Sequence, residues 1–341
     1  MKVAIIISRL NSFGGTQRQA IELARRLKAR IYTLRYDPDN TYDTRDIDVT
    51  QLTAKKASKI PLFARYIDRI DRAKQMAGII DKDTEILNPH GNWSQMVAYY
   101  YKQKQNIPSV WQLNTLVKEP FDKKYVYAQD QITVLDSNVF KQVVKTYNHI
   151  PKIVRTGLDL DKFKFKQRTS LHQRRVLMVS SFLPHRNFEP VIKVSNKLGF
   201  PVTIVGEVID KIYYEKIRNY AKYLTHKQGL SDQELLNEYY NHDVFIFPNN
   251  PQVWGLAVFE AMATGLPVIV STGAGASEVL SSGINAMLMS DHREIELAMT
   301  RALNGSNYEA LSLAGRKFVE ENLSWDKYAE EMLRIFNHAR C

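Results

Sequence analysis

Residues 252–278 read QVWGLAVFEAMATGLPVIVSTGAGASE, and this stretch decides the fold. Just before it, Val244 to Phe247 is an unbroken apolar run closed by Pro248, with the length and makeup of a buried strand. Gly255 then opens the apolar segment Leu256 to Ala263, which reads as a helix buried on most sides. Gly265 stops it, and Pro267 starts a second strand, Val268-Ile269-Val270. One residue breaks the pattern. Glu260 stands in the middle of the apolar helix, between Phe259 and Ala261. A carboxylate in apolar surroundings must find donors or give up its charge. Two kinds of partner satisfy it equally: a protein donor near the helix start, or two neighbouring hydroxyls of a ligand diol.

Composition sets the outer bounds. The 341 residues suffice for two domains, and an apolar content of 44% predicts a sizeable core rather than disorder. The single cysteine, Cys341, is the last residue, so no intramolecular disulfide forms and a reducing compartment is expected. The apolar run Val3 to Ile7 is too short for the core of a signal peptide, and no run approaches the length of a membrane span. The net charge is +11, and residues 1–165 hold all of the excess, with 28 Lys and Arg against 17 Asp and Glu. That asymmetry points to an anionic partner of the first half: lipid, nucleic acid or an anionic substrate. A merely solvated basic surface explains it too.

Along the first half, Val3 to Ile7 reads as a strand, Asn11 to Thr16 as a turn holding Gly14 and Gly15, and Ala20 to Leu27 as a helix. Strand, glycine turn and helix start is a phosphate-cradling arrangement, though a plain turn looks the same. The segment 55–74 is basic and amphipathic, with Lys55, Lys56, Lys59, Arg65, Arg69, Arg72 and Lys74 interleaved with apolar residues. Phe63, Ile67, Ile70 and Lys74 share one helical face, which suits either an anionic membrane surface or core packing with the arginines outside. Asp68 and Asp71 dilute its charge. Strand ends are expected at His90 and Asn114. Alternating strands and helices argue a parallel sheet covered on both faces. Lys164 to Arg175 is polar with little periodicity and reads as a linker, after which Val176 starts a second strand-helix series.

The deciding stretch resembles a long motif of retaining family-4 glycosyltransferases of the GT-B fold, E-x-F-G-L-x-x-x-E-A-M-A-x-G-x-P-V-V followed by a further Glu. Here it is carried by Gly255-Leu256, Glu260 to Ala263, Gly265, Pro267-Val268 and Glu278. Two further stretches resemble the family: Gly157-Leu158-Asp159 with Phe163, where Thr156 replaces the family's Asn, and Val202 to Val205 with Gly206. There are departures as well. Gln252 stands where the motif's first Glu would be, Asn114 where a strand-end His is usual, and Ser181 where an Arg precedes the basic residue matched by Arg186.

The resemblance implies an α/β GT-B architecture: two Rossmann-like βαβ domains facing a central cleft, with a C-terminal helix crossing back to the first. The expected domains are 1–165 for the acceptor, 166–322 for the nucleotide sugar, and 323–341 for the returning helix. It implies a metal-independent retaining hexosyltransferase that needs no cofactor beyond its UDP- or GDP-linked sugar. The acceptor is expected to be a glycolipid or polysaccharide precursor. Arg186, His90, Gln252 and Asn114 form the implied catalytic set. Gly14, Gly15, Ser181, Arg186, Gly255, Leu256 and Glu260 are the implied donor contacts, with Glu260 on the ribose hydroxyls. The eight histidines are scattered, and no Asp-x-Asp stands where a metal-dependent transferase needs it. The expected place is the cytoplasm, including the cytoplasmic face of a membrane reached through the basic 55–74 segment. The departures leave open a catalytically impaired, donor-binding partner subunit. A nicotinamide-dependent oxidoreductase lacks its G-x-G-x-x-G after Ile7, and no nucleic-acid-binding motif accompanies the positive charge.

Overall fold

A computed structural model describes residues 1–340 apart from 54–61, 117–121, 170, 172 and 250–253. For residues 62–65 only the backbone is described. The chain divides into two compact units, Met1–Gly157 together with Trp325–Cys341, and Leu158–Ser324.

The first unit is built on strands β1 (Val3–Ile7), β2 (Arg30–Thr33), β3 (Val49–Gln51), β4 (Ile86–His90), β5 (Val110–Leu113), β6 (Gln131–Val134) and β7 (Lys152–Ile153). They form one sheet in the order β3-β2-β1-β4-β5-β6-β7, with every pairing parallel. Parallel neighbours need crossover connections. Helices supply most of them: α1 (Gly15–Leu27), α2 (Leu62–Ile79), α3 (Ser94–Lys102), α4 (Lys123–Val126) and α5 (Ser137–Tyr147). β1 is apolar throughout because both of its faces are covered. Ile5 and Ile7 pack with Ala20, Ile21 and Ala24 of α1. Ala4 and Ile6 pack on the other side with Met76 and Ala77 of α2 and Val97 of α3. The apolar face of α2 that meets the core is Ala73, Met76 and Ala77, followed by Ile80, whereas Ile67 is 46% exposed. The expected face is thus split, with Ile70 packed against this core and Ile67 exposed; the part of the basic segment at 54–61 lies outside the described residues.

The second unit carries β8 (Val176–Val179), β9 (Val202–Val205), β10 (Leu224–Lys227), β11 (Val244–Phe247), β12 (Val268–Ser271) and β13 (Met287–Met289), in the parallel order β10-β9-β8-β11-β12-β13. Its helices are α6 (Phe188–Leu198), α7 (Lys211–Tyr220), α8 (Asp232–Asn241), α9 (Leu256–Ala263), α10 (Ile295–Ala302) and α11 (Gly305–Asn322). The last helix, α12 (Trp325–Arg340), returns to the first unit. There Trp325, Tyr328, Met332 and Phe336 join the core that α1 and β1 share. Arg26 of α1 binds Asp326 at 2.6 Å, and Arg340 binds Glu85 at 2.7 Å. No described helix is long and apolar enough to cross a membrane.

The polar stretch after Phe163 is not a free linker. Arg168 is buried, and its guanidinium donates to the carbonyl oxygens of Tyr239 at 2.7 Å, Tyr240 at 3.1 Å and His242 at 2.9 Å. Those are the unpaired carbonyls at the end of α8, so the arginine caps that helix. Its charge is spread over backbone dipoles rather than a carboxylate, which is why composition alone misreads the segment.

Gly206 closes β9 against the end of β8. A Cβ placed there would lie 2.1 Å from the carbonyl oxygen of Ser180. Neither backbone has a flexible end that could give way. Gly206→Ala is therefore expected to cost at least the roughly 1–3 kcal/mol typical of overpacking, read as a lower urea midpoint. A midpoint equal to wild type would show that the two strand ends are not locked together.

Candidate functional site

In open parallel sheets, ligands bind beyond the carboxyl ends of the strands, where the strand order reverses. That point lies between β1 and β4 in the first unit and between β8 and β11 in the second. The described residues among those singled out from the sequence lie at or near these two places.

In the second unit, β8 runs into Ser180 and the half-buried Ser181, then a 3-10 turn Pro184–Arg186, then α6. Asn187 turns the chain in the left-handed region, at φ 57°. Arg186 is half-buried, and among the described residues no carboxylate pairs with it. Burial alone pushes its pKa below the ordinary arginine value. Its partner is the neutral amide of Asn249, which is fully buried just past β11. With that amide turned to satisfy both residues, Oδ1 accepts from Nη1 of Arg186 at 3.0 Å and Nδ2 donates to the Arg186 carbonyl at 3.2 Å. The Nε of Arg186 is buried and unpartnered. A half-buried cation held only by a neutral group is costly unless an anion joins it. A polar hollow of about 170 Å³ opens next to this turn, lined by Asn187, Pro248, Ser271, Ser290 and Asp291 among others.

α9 begins beside these residues in sequence. Its N-cap is Gly255, at φ 79°, with no side-chain cap. A Cβ there would meet the Phe247 ring at 2.9 Å, so glycine is required twice over. Trp254 anchors the helix start, its ring tilted over Phe259 at 4.9 Å between centroids. Without a side-chain cap, the amides of the first turn, Leu256 included, offer a place for an anion.

One turn further, Glu260 has the protein partner that the apolar helix demanded. Tyr239 of α8 is fully buried and donates its hydroxyl to Oε2 of Glu260 at 2.8 Å. Burial and the adjacent carboxylate raise the Tyr239 pKa well above its ordinary value, so the phenol keeps its proton. Glu260 itself stays partly exposed. A protein donor therefore serves one oxygen of a carboxylate that is not sealed in. Gln252 lies outside the described residues.

In the first unit, Gly14 is the N-cap of α1, in ordinary extended backbone at φ −163°. A Cβ there would meet only the end of the Gln17 side chain. Gly14 is thus not demanded by backbone conformation. Asn114, past the end of β5, reaches the first turns of α1. Its Nδ2 donates to Thr16 Oγ1 and to Gln19 Oε1, both at 2.9 Å, and its Oδ1 accepts from Gln112 at 3.0 Å. Both amide hydrogens are therefore used within the unit, and Asn114 ties β5 to the helix start. Toward a sugar hydroxyl it keeps acceptor capacity on Oδ1 rather than a free N–H.

His90 ends β4, in register with Ile7 of β1 and Gln112 of β5. It is 1% exposed. Asn88 gives its Nδ2 to the Val110 carbonyl at 2.7 Å, so its Oδ1 must accept the Nε2 hydrogen of His90 at 2.8 Å. Nδ1 is buried and unpartnered. Burial lowers the pKa from 6.5 to about 3, so the ring is neutral. The imidazole is thus enclosed and neutral at the end of β4.

The family model for glycosyl transferases group 1 matches residues 159–335, and the chain belongs to that family. It is 30% identical over 215 residues to a probable sucrose-phosphate synthase of Thermosipho melanesiensis, covering 58% of this chain and 49% of that protein. The chain spans about half the length of the curated relatives it matches. Among solved structures, a glycosyltransferase from Rickettsia africae superposes with a TM-score of 0.82 at 17% identity, covering 99% of this chain and 98% of that one. Anabaena HepE, solved in complex with UDP and glucose, gives 0.78 at 12% identity over 99% of this chain and 100% of that chain. The fold is GT-B, two parallel-sheet Rossmann-like domains.

The buried histidine generates a pH dependence. In the unfolded chain it takes a proton near 6.5, whereas the folded chain holds it neutral to about 3. Between those values the unfolded state binds more protons, so stability falls as the pH falls. His90→Gln should flatten this fall by up to about 1.4 kcal/mol for each pH unit below 6.5, measured from urea midpoints at pH 7 and 4.5. The same slope in both proteins would mean that the ring is not enclosed.

Proposed function

We propose that this chain is a retaining, metal-independent glycosyltransferase. It moves a hexose from a nucleotide-diphosphate sugar, UDP- or GDP-linked, to a hydroxyl of a glycolipid or polysaccharide precursor. The observation that carries this reading is the half-buried Arg186, balanced by no carboxylate among the described residues and held by a neutral amide. A diphosphate supplies the missing charge. The uncapped first turn of α9 offers amides to the same anion, and Glu260, one turn on and partly exposed, takes the ribose hydroxyls.

The chemistry follows from where charge develops. As the bond from the sugar's anomeric carbon to the diphosphate breaks, negative charge grows on the departing oxygen. Arg186 and the α9 amides stabilise it in place. The acceptor oxygen bonds to the same face of the sugar and its proton passes to the departing diphosphate. The protein then needs no nucleophile of its own, only charge and placement. Gln252 is the proposed sugar contact. HepE was solved with UDP and glucose, which supports trying UDP-glucose first. The exposed Ile67 and Lys74 of α2 support peripheral contact with an anionic membrane surface.

The alternative, a donor-binding partner subunit without turnover, is favoured by Ser181 in place of a second basic residue and by the amide hydrogens of Asn114, both used within the unit. Hydrolysis of a panel of UDP-, GDP- and ADP-sugars, with and without acceptor, separates the two.

Arg186→Ala should lower kcat about 10²–10³-fold, the scale of one lost preorganised donor. Unchanged turnover would remove Arg186 from the site. Glu260→Ala should weaken donor binding by ~1.5–3 kcal/mol with a smaller effect on turnover. Equal donor affinity in calorimetry would contradict the ribose assignment.

A further inference from the structure

We infer that Arg9 and Arg35 form a receptor for a phosphate group carried by the acceptor. This rests on the reading that the first unit takes the acceptor.

The two arginines occupy matching places on adjacent strand ends. Ile7 pairs with Thr33, and three residues on Leu10 pairs with Tyr36, with no insertion on either side. Arg9 and Arg35 fall between these two pairs, at the carboxyl ends of β1 and β2. Neighbouring strands run roughly 4.8 Å apart, so two guanidinium groups here can reach one anion. The frame is firmly tied. Leu10 donates its amide to the Arg35 carbonyl at 2.7 Å, Asp37 donates to the Leu10 carbonyl at 3.0 Å, and Asn40 Nδ2 donates to the Asn11 carbonyl at 3.1 Å. Phe13, 58% exposed, stands edge-on to Tyr42 at 5.3 Å and braces the same two loops.

Both arginines are exposed, and neither has an ion pair or a side-chain hydrogen bond among the described residues. Other arginines nearby are balanced. Arg25 binds Glu22 and Asp46, Arg30 binds Asp48 and Asp81, and Arg45 binds Asp43. The nearest acids in sequence, Asp37 and Asp39, pair with neither Arg9 nor Arg35; Asp37 accepts the Asp39 amide instead. Like charges at matching positions of neighbouring strands repel. Two planar guanidinium groups borne on adjacent strand ends suit the bidentate geometry of a phosphate. The same phosphate chemistry belongs to a phosphorylated sugar and to a phospholipid headgroup.

The test uses the full chain, the double variant Arg9→Gln/Arg35→Gln, and Arg45→Gln. The last removes an equal charge from the same loop region outside the pair. One arm titrates a hexose 6-phosphate and the unphosphorylated hexose by calorimetry. The other measures sedimentation with phosphatidylcholine vesicles, with and without phosphatidylglycerol. The expected result is that wild type and Arg45→Gln bind one phosphate probe, while the double variant loses roughly tenfold or more in affinity for it. Which arm responds names the source. Binding of neither probe by wild type, or an equal loss in Arg45→Gln, overturns the proposal. The rise in Tm with UDP-sugar, read on the same samples, is expected to be the same in all three proteins. Its absence from wild type would sink the donor reading without touching the phosphate result.

Discussion

A half-buried cation with no counter-charge among the described residues is the constraint on which the second unit turns. Arg186 is held in the turn after β8 by one neutral amide, that of the buried Asn249. Removing charge from water costs free energy that a neutral acceptor recovers only in part. The fold tolerates this because several elements converge on the same edge. β8 and β11 are neighbours, so the residue past one can hold the turn past the other. Gly206 lets β9 end tight against Ser180, and Gly255 lets α9 start without a side chain in the way. The site is therefore assembled from backbone positions that only glycine fits and from a charge left to be completed.

Arg168 is the useful contrast. It too is a buried arginine, but it donates to three carbonyls at the end of α8 and lies within electrostatic reach of Asp243. Its work is structural. The difference between the two arginines lies in what their donors touch. Sequence alone shows neither, since both stand in polar stretches of similar composition.

How much could be read before the structure differs from element to element. The central strands β1, β8, β11 and β12 were legible from continuous apolar runs, because strands covered on two faces have no polar alternation to hide them, whereas the edge strand β10 is polar and was not. Glycine stops such as Gly265 marked helix ends where their chemistry is local. Glu260 announced itself as an acid in an apolar helix, but its partner Tyr239 lies on another helix and no spacing rule connects them. Asn114 and His90 were found as strand ends. Their hydrogen bonds, which turn one towards α1 and enclose the other, depend on three strands meeting in register. Asn249 was missed, although a polar residue directly after a buried strand at the sheet's reversal point was a signal to follow. The returning helix α12 shows the same limit: the resemblance implied it, while its seat against α1 depends on residues some 300 positions away.

The central claim is that Arg186 awaits a diphosphate. Calorimetry with UDP and UMP, and with GDP and GMP, on wild type and Arg186→Gln tests it most directly. The account predicts that the wild type prefers the diphosphate of its own base by roughly tenfold or more, and that this preference collapses in the variant while the monophosphate affinity changes little. A diphosphate preference of equal size in both proteins would contradict it.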